Sequence, residues 1–271
     1  MANLVALVSG DAPAAWQRAG FALSRAPVPS FLAKYGCSAW LNLPTQNRRL
    51  AVGLGAESTE HIKSGISAWV WAGLKDKSPQ AVGDFASLAI SDAEAEAAFE
   101  SDVNAGSRDD EHPNGIVNID QVVLRTLDMD SSLESFEAAG LKLLRKRDDL
   151  YPGTTQAFIR PCDDVILEIV SVSPELRKKQ AKMTNQMVAF NETENSIWGL
   201  TYVVKDIEAA AEMFSPNISK VNNAKQPGRK IATLRTEQLG LRAAIAIMSA
   251  HVKLPPGQDA AVPSSPPSAK L

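Results

Sequence analysis

An α+β fold of tandem βαβββ units, their mixed sheets forming open cups, is what the sequence predicts, and three observations carry it. The order strand, helix, strand, strand, strand occurs twice between residues 115 and 250. One helix stop, Ala-Gly before a large apolar residue, recurs at Ala19-Gly20-Phe21 and Ala139-Gly140-Leu141. The stretch Gly65-Ile-Ser-Ala-Trp-Val-Trp-Ala72 also echoes Ser196-Ile-Trp-Gly-Leu-Thr-Tyr-Val203. An internal repeat is therefore the main feature.

The later copies are the clearer ones. Ile119–Thr126 alternates as a strand, with Val122 and Leu124 on one face and Gln121, Val123 and Arg125 on the other. Asp130 or Ser131 can cap the helix that follows. Ser131 and Glu134 have capping-box spacing, Leu133 and Phe136 recur at helical spacing, and Gly140 stops the helix. Strands follow at Leu141–Lys146, Thr155–Arg160 and Val165–Ser171. The next copy runs from the strand Ile197–Val204 through a helix capped by Asp206. It continues with a weak strand near Ile218–Val221, then a hairpin of Arg229–Arg235 and Leu241–Met248. Ser173 with Pro174 opens a connecting helix whose basic residues read as a solvated face.

The N-terminal copies are less regular. Leu4–Val8 is a strand, Asp11-Ala-Pro13 opens a helix through Trp16, and Cys37–Leu43 and Arg49–Gly55 supply further strands. A fourth copy within 65–100 is degenerate, ending in the acidic helix Ser91–Glu100. Residues 1–100 then form one unit, 101–114 a polar linker, 115–250 a second unit, and 251–271 a flexible Pro- and Ser-rich tail.

Composition narrows the function. The chain has 271 residues, 28 Lys plus Arg against 31 Asp plus Glu, and a net charge of −3. No strong positive field exists to hold nucleic acid or an anionic membrane. Two cysteines, Cys37 and Cys162, make neither a disulfide framework nor a Cys-rich zinc site. Cys37 reads as core, and Cys162 lies beside two acids that disfavour its thiolate. No apolar run approaches the roughly 18–20 residues of a membrane helix. The start carries no basic segment of a secretory signal. These features predict a soluble intracellular chain.

The segments Ile119-Asp-Gln-Val-Val-Leu-Arg-Thr-Leu-Asp-Met-Asp130, Val165-Ile-Leu-Glu-Ile-Val170 and Trp198-Gly-Leu-Thr-Tyr-Val-Val-Lys-Asp-Ile207 resemble the vicinal oxygen chelate superfamily of glyoxalase-like proteins. Gln226-Pro-Gly-Arg-Lys-Ile-Ala-Thr-Leu-Arg235 is similar to a stretch common in glyoxalase-like proteins. The resemblance covers 115–250 well and 1–75 in part. It implies paired units wrapping a cup, with metal ligands on the first and last strands of each unit. Those positions are Gln121 and Glu168 in one unit. In the next they fall on Gly199 or Leu200 and near Ala246, which carry no ligating side chain. The implied cofactor is one divalent ion (Zn, Ni, Mn or Fe) or none.

Two functions follow from the resemblance. One is a lyase or isomerase acting on a small oxygenated metabolite, with Glu168 as ligand or proton carrier. The other is a metal-free small-molecule binder of the bleomycin-resistance type. The structural alternative for Gln121 and Glu168 is a hydrogen bond to each other or to Arg160. Arg125, Arg160 and Arg229 are candidate anion forks, and Phe158 and Trp198 candidate walls. Arg125 and Arg229 are equally read as edge-protecting charges. His61, His112 and His251 have no metal-site spacing and read as surface residues. The chain either pairs its units internally or forms a homodimer through exposed sheet edges. The final Ala269-Lys270-Leu271 resembles a peroxisomal address, implying an import receptor in a eukaryote and a cytoplasmic protein otherwise.

Overall fold

A computed structural model of the chain describes residues 2–45, 49–56, 65–74, 81–83, 85–104, 112–161, 165–177 and 195–250. His61, Cys162, His251 and the tail with Ala269-Lys270-Leu271 lie outside the described residues. The chain is α+β, and its strands form open sheets in βαβββ order.

In the second unit, β7 (Ile116–Thr126) leads into α4 (Met129–Ala138), then β8 (Leu143–Tyr151), β9 (Thr154–Ile159) and β10 (Ile166–Val172). β10 returns parallel to β7, β9 runs antiparallel to β10, and β8 is the edge. The next copy repeats this with β11 (Ser196–Val204), α5 (Ile207–Met213), β12 (Asn222–Asn223), β13 (Lys230–Thr233) and β14 (Ala244–Met248). The two copies join through antiparallel β7 and β11.

The caps explain the helix starts. Asp128, not Asp130 or Ser131, is the N-cap of α4, its carboxylate accepting from the amides of Asp130 and Ser131 at 3.0 and 3.1 Å. Asp206 does the same for α5, at 2.9 and 3.1 Å. An aspartate two residues beyond each strand end is thus the conserved geometry of both copies. Gly140 then takes φ 86°, and the amide of Leu141 closes on Phe136 O at 2.9 Å. Gly20 repeats this at φ 75°, with Phe21 N on Trp16 O at 3.1 Å.

The first unit has β1 (Asn3–Ser9), α1 (Pro13–Arg18), α2 (Ser30–Ala33), β2 (Ala39–Pro44) and β3 (Arg49–Leu54). β4 (Ile66–Ala72), β5 (Ala81–Val82) and β6 (Phe85–Ile90) follow, then α3 (Asp92–Asn104). β1 and β4 pair antiparallel, as β7 and β11 do, while β3 and β6 return parallel to them. The degenerate copy thus keeps its strand topology, and its helix α3 comes after the last strand.

Two cores result. One gathers the helix-facing side chains of both units, with Trp69 on β4 meeting Phe136 of α4 at 5.9 Å. Gly83 makes room there, since a Cβ would lie 2.2 Å from Phe136 Cζ. The other core fills the opposite face of the first unit. Small residues Ala6, Ala51, Ala68 and Ala72 let Phe31, Leu32, Trp40 and α3 approach closely.

His112 and Asp102 depart from their solvated reading. His112 is buried, accepting from Ala22 N at Nδ1 (3.0 Å), with Nε2 2.7 Å from Asn42 O. Asp102 is fully buried and accepts from Ser24 Oγ and, at 2.8 Å, from Asn42 Nδ2. Their partners come from distant strands and loops, so local polarity misled.

One carboxylate clasps the units together. Asp11, 4% exposed, accepts from Gly65 N at 2.9 Å and from Arg242 N and Ala243 N at 3.0 and 3.1 Å. Asp11→Ala would strand two buried amides and one partly buried one, at about 1–3 kcal/mol for each buried amide before relaxation. The expected result is a loss of about 3 kcal/mol or more in chemical denaturation, with a smaller loss for Asp11→Asn. A change within about 0.5 kcal/mol would contradict the clasp.

Candidate functional site

The face of the second unit turned away from α4 and α5 carries the candidate residues. Val122 and Leu124 of β7 enter the helix-side core, so alternation sends Gln121, Val123 and Arg125 to the other face. Asp120 is bulged, because the β7–β11 register slips between Thr201 and Tyr202. Gln121 and Val123 are buried there too, at 8% and 6% exposure.

Across the sheet, Val123 pairs with Glu168 on β10, which pairs with Phe158 on β9, which pairs with Arg145 on β8. Gln121 pairs with Ile166 on one side and Thr201 on the other. The face thus brings together Gln121, Arg125, Phe158, Glu168 and Trp198. Trp198 occupies a second register slip, between Ile197 and Gly199.

Glu168 is the chemically distinctive group. Its Oε1 accepts from Gln156 Nε2 at 2.9 Å, neither from Gln121 nor from Arg160. Burial pushes its carboxyl up to about 7, with the nearby Asp120 charge adding to the rise. At neutral pH it is therefore divided between acid and carboxylate. Arg125 lies over the Trp198 ring, its Cζ 4.1 Å from the centroid, and burial pulls its guanidinium down to about 10. Trp198 Nε1 and Asn118 Oδ1 are shielded and have no hydrogen-bond partner among the described residues.

The other predicted residues are placed differently. Arg229 is buried, and its Nη1 donates to Asp120 Oδ1 at 3.0 Å and Gln226 Oε1 at 3.2 Å. Its Nε donates to Ser249 O at 2.9 Å. It braces the bulge of β7 against the end of β14. Arg160 is exposed, just beyond β9, and Arg235 donates to Pro216 O at 2.7 Å. Phe158 has Arg145 over its ring at 4.8 Å. Sequence reasoning missed Gln156, although it shares a strand face with Phe158 two residues on. It also missed Asp120, whose position depends on the bulge.

The implied metal was tested against the donors present. The caps Asp128 and Asp206 align the two copies, which matches Gln121 with Gly199. Glu168 pairs with Val123 as Ala246 pairs with Thr201, so these two match as well. A Cβ on Gly199 would lie 2.0 Å from Ala244 O, so the backbone itself excludes a ligating side chain there. In the first unit the same register falls on Ala6, Gly53, Ala68 and Leu88. At Gly53 a Cβ would meet Cys37 Sγ at 2.6 Å. Among the described residues no three His, Cys, Asp or Glu groups converge. Among the described residues, the four family positions supply one carboxylate and one amide, and the nearby Asp120 is engaged by Arg229, so these donors do not fit the ion.

No family model matches the chain, and no curated protein matches it. Among solved structures, methylmalonyl-CoA epimerase from Mycobacterium tuberculosis is similar at 14% identity and a TM-score of 0.41, covering 51% of this chain and 91% of that one. A Streptomyces coelicolor methylmalonyl-CoA epimerase in complex with 2-nitronate-propionyl-CoA shows 17% identity and a TM-score of 0.36, over 49% and 97% of the two chains. A hypothetical protein from Bacillus halodurans shows 18% identity and a TM-score of 0.36, over 51% and 97%.

The raised Glu168 carboxyl sets a pH dependence. A group whose folded pKa lies above its unfolded value stabilises fully below the unfolded pKa, and that contribution is lost as pH rises through the folded one. The window here runs from about 4.5 to about 7. Glu168→Gln should therefore gain stability relative to the parent across that window, by about 3 kcal/mol at most. Thermal melts from pH 4 to 8 measure it. A difference independent of pH would contradict the assignment.

Proposed function

We propose that the open face of the second unit binds a small oxygenated carboxylate without a metal ion. Arg125 meets the carboxylate, Trp198 walls the ligand, and Gln121 and Glu168 contact its further oxygens. The observation that carries this reading is the shared face. A carboxyl group held by Gln156 lies one strand from a guanidinium stacked on an indole. The guanidinium supplies a planar fork for an anion, and the indole supplies apolar contact beside it.

A second reading is favoured by the position of the Glu168 carboxyl near neutrality. A group poised near the working pH both takes and gives a proton effectively. On this reading the chain is an isomerase or lyase that moves a proton next to a carbonyl, with Glu168 as the base and Gln156 orienting it.

A panel of 2-oxo and 2-hydroxy carboxylates, followed by thermal shift and by proton exchange in heavy water, tests both. At least one acid should stabilise the protein, and Arg125→Ala should weaken that effect at least tenfold. Exchange at the carbon beside the carbonyl, lost in Glu168→Gln with binding retained, identifies the enzyme. Binding without exchange identifies the carrier. If no acid stabilises the parent, the reading of this face fails.

A further inference from the structure

Helix α3 lies across the face of the first unit that corresponds to the open face of the second. Its seat is sparse: Ala95 and Asp102 are its buried residues among those described, with Ala98 and Phe99 partly buried. Between this helix and strands β1 and β3 remains a cavity of about 420 Å³. That is within the size range of a small-ligand site.

The lining is chemically uneven. Val5, Ala95 and Phe99 make it apolar within. Asn3 also lines it, at 7% exposure, and its side chain makes no hydrogen bond among the described residues. A buried amide facing a cavity without a partner is a site awaiting one. At the mouth, Asp92, Glu96 and Glu100 recur four residues apart along one side of α3, all exposed. Arg49 is the one cation among the lining residues, and its Nη1 is 3.7 Å from the fully buried Asp102. The mouth is therefore net negative.

We propose that this cavity binds a small amine with an apolar body of about one ring. The ammonium meets the carboxylates of α3, the ring fills the space between Val5 and Phe99, and Asn3 hydrogen-bonds the ligand from the floor. The proposal is independent of the function assigned to the second unit.

Benzylamine is the probe, with benzoate and benzyl alcohol as isosteric controls, followed by amide chemical shifts of the full chain labelled with nitrogen-15. Benzylamine should shift the amides of Leu4, Val5, Ala95 and Phe99 saturably. Benzoate should leave them in place, and benzyl alcohol should bind at least tenfold more weakly. Ala95→Phe, which fills the cavity, should abolish the effect. The double variant Glu96→Gln, Glu100→Gln alters exposed positions, and it should weaken binding at least tenfold. It decides the question if Ala95→Phe does not fold. Absence of saturable shifts, equal shifts with benzoate, shifts confined to residues 115–250, or unchanged affinity in the double variant would each overturn the proposal.

Discussion

Antiparallel pairing of β7 with β11 is the constraint on which the second unit depends. It places Gln121 opposite Thr201 and Val123 opposite Gly199, so each copy's first strand is the other's neighbour. The parallel returns of β10 and β14 then bring Glu168 and Ala246 into equivalent places on one face. Because side chains alternate, this register also commits Val122, Leu124, Leu167 and Ile169 to the helix-side core. A slip of one residue would exchange the polar face with the apolar one. Three slips depart from the register, at Trp198, Asp120 and Val117, and the first two bear on the face. Asp120 accepts from Arg229, and Trp198 lies under Arg125.

Duplication has been put to different uses in the two units. In the first, small residues and Gly53 let Leu32, Cys37 and Trp40 pack onto the face that the second unit leaves open. Cys37 is part of that packing, and burial pushes its thiol up to about 12, well away from nucleophilic chemistry. In the second unit, one copy supplies Gln121 and Glu168. The other supplies Gly199, which lets the backbone pass against Ala244. Among the described residues, no further donors converge on Glu168 to make a metal site. Burial, with the nearby Asp120, holds that group near neutrality.

The fold was largely legible because local signals agreed with it. Alternation in β7, the cap at Asp206, and the matching stops at Gly20 and Gly140 each specify geometry within a few residues. Where the sequence misled, the deciding partner was distant. Asp130 and Ser131 are as good capping residues as Asp128, yet it is Asp128 whose carboxylate accepts from their amides. His112 and Asp102 lie in a polar stretch, yet Asn42 of β2 bonds to both. At the site, Glu168 stood out as a charge within an apolar strand. Arg229 read equally as an anion fork or an edge charge, and its partners, Asp120, Gln226 and Ser249, come from elements that sequence spacing does not connect. Gln156 carried no signal of its own, because an amide on a half-exposed strand is unremarkable until the β9–β10 register sets Glu168 diagonally across from it.

The account rests on Glu168 acting as a protonatable group in a face that does not chelate metal. The most direct test is the carboxyl carbon-13 titration of Glu168 in the full chain, with and without equimolar zinc. The account predicts a midpoint near 7, well above the ordinary 4.5, and unmoved by the ion. A midpoint near 4.5, or one that zinc drives downward, would contradict it and return Glu168 to the role of a ligand.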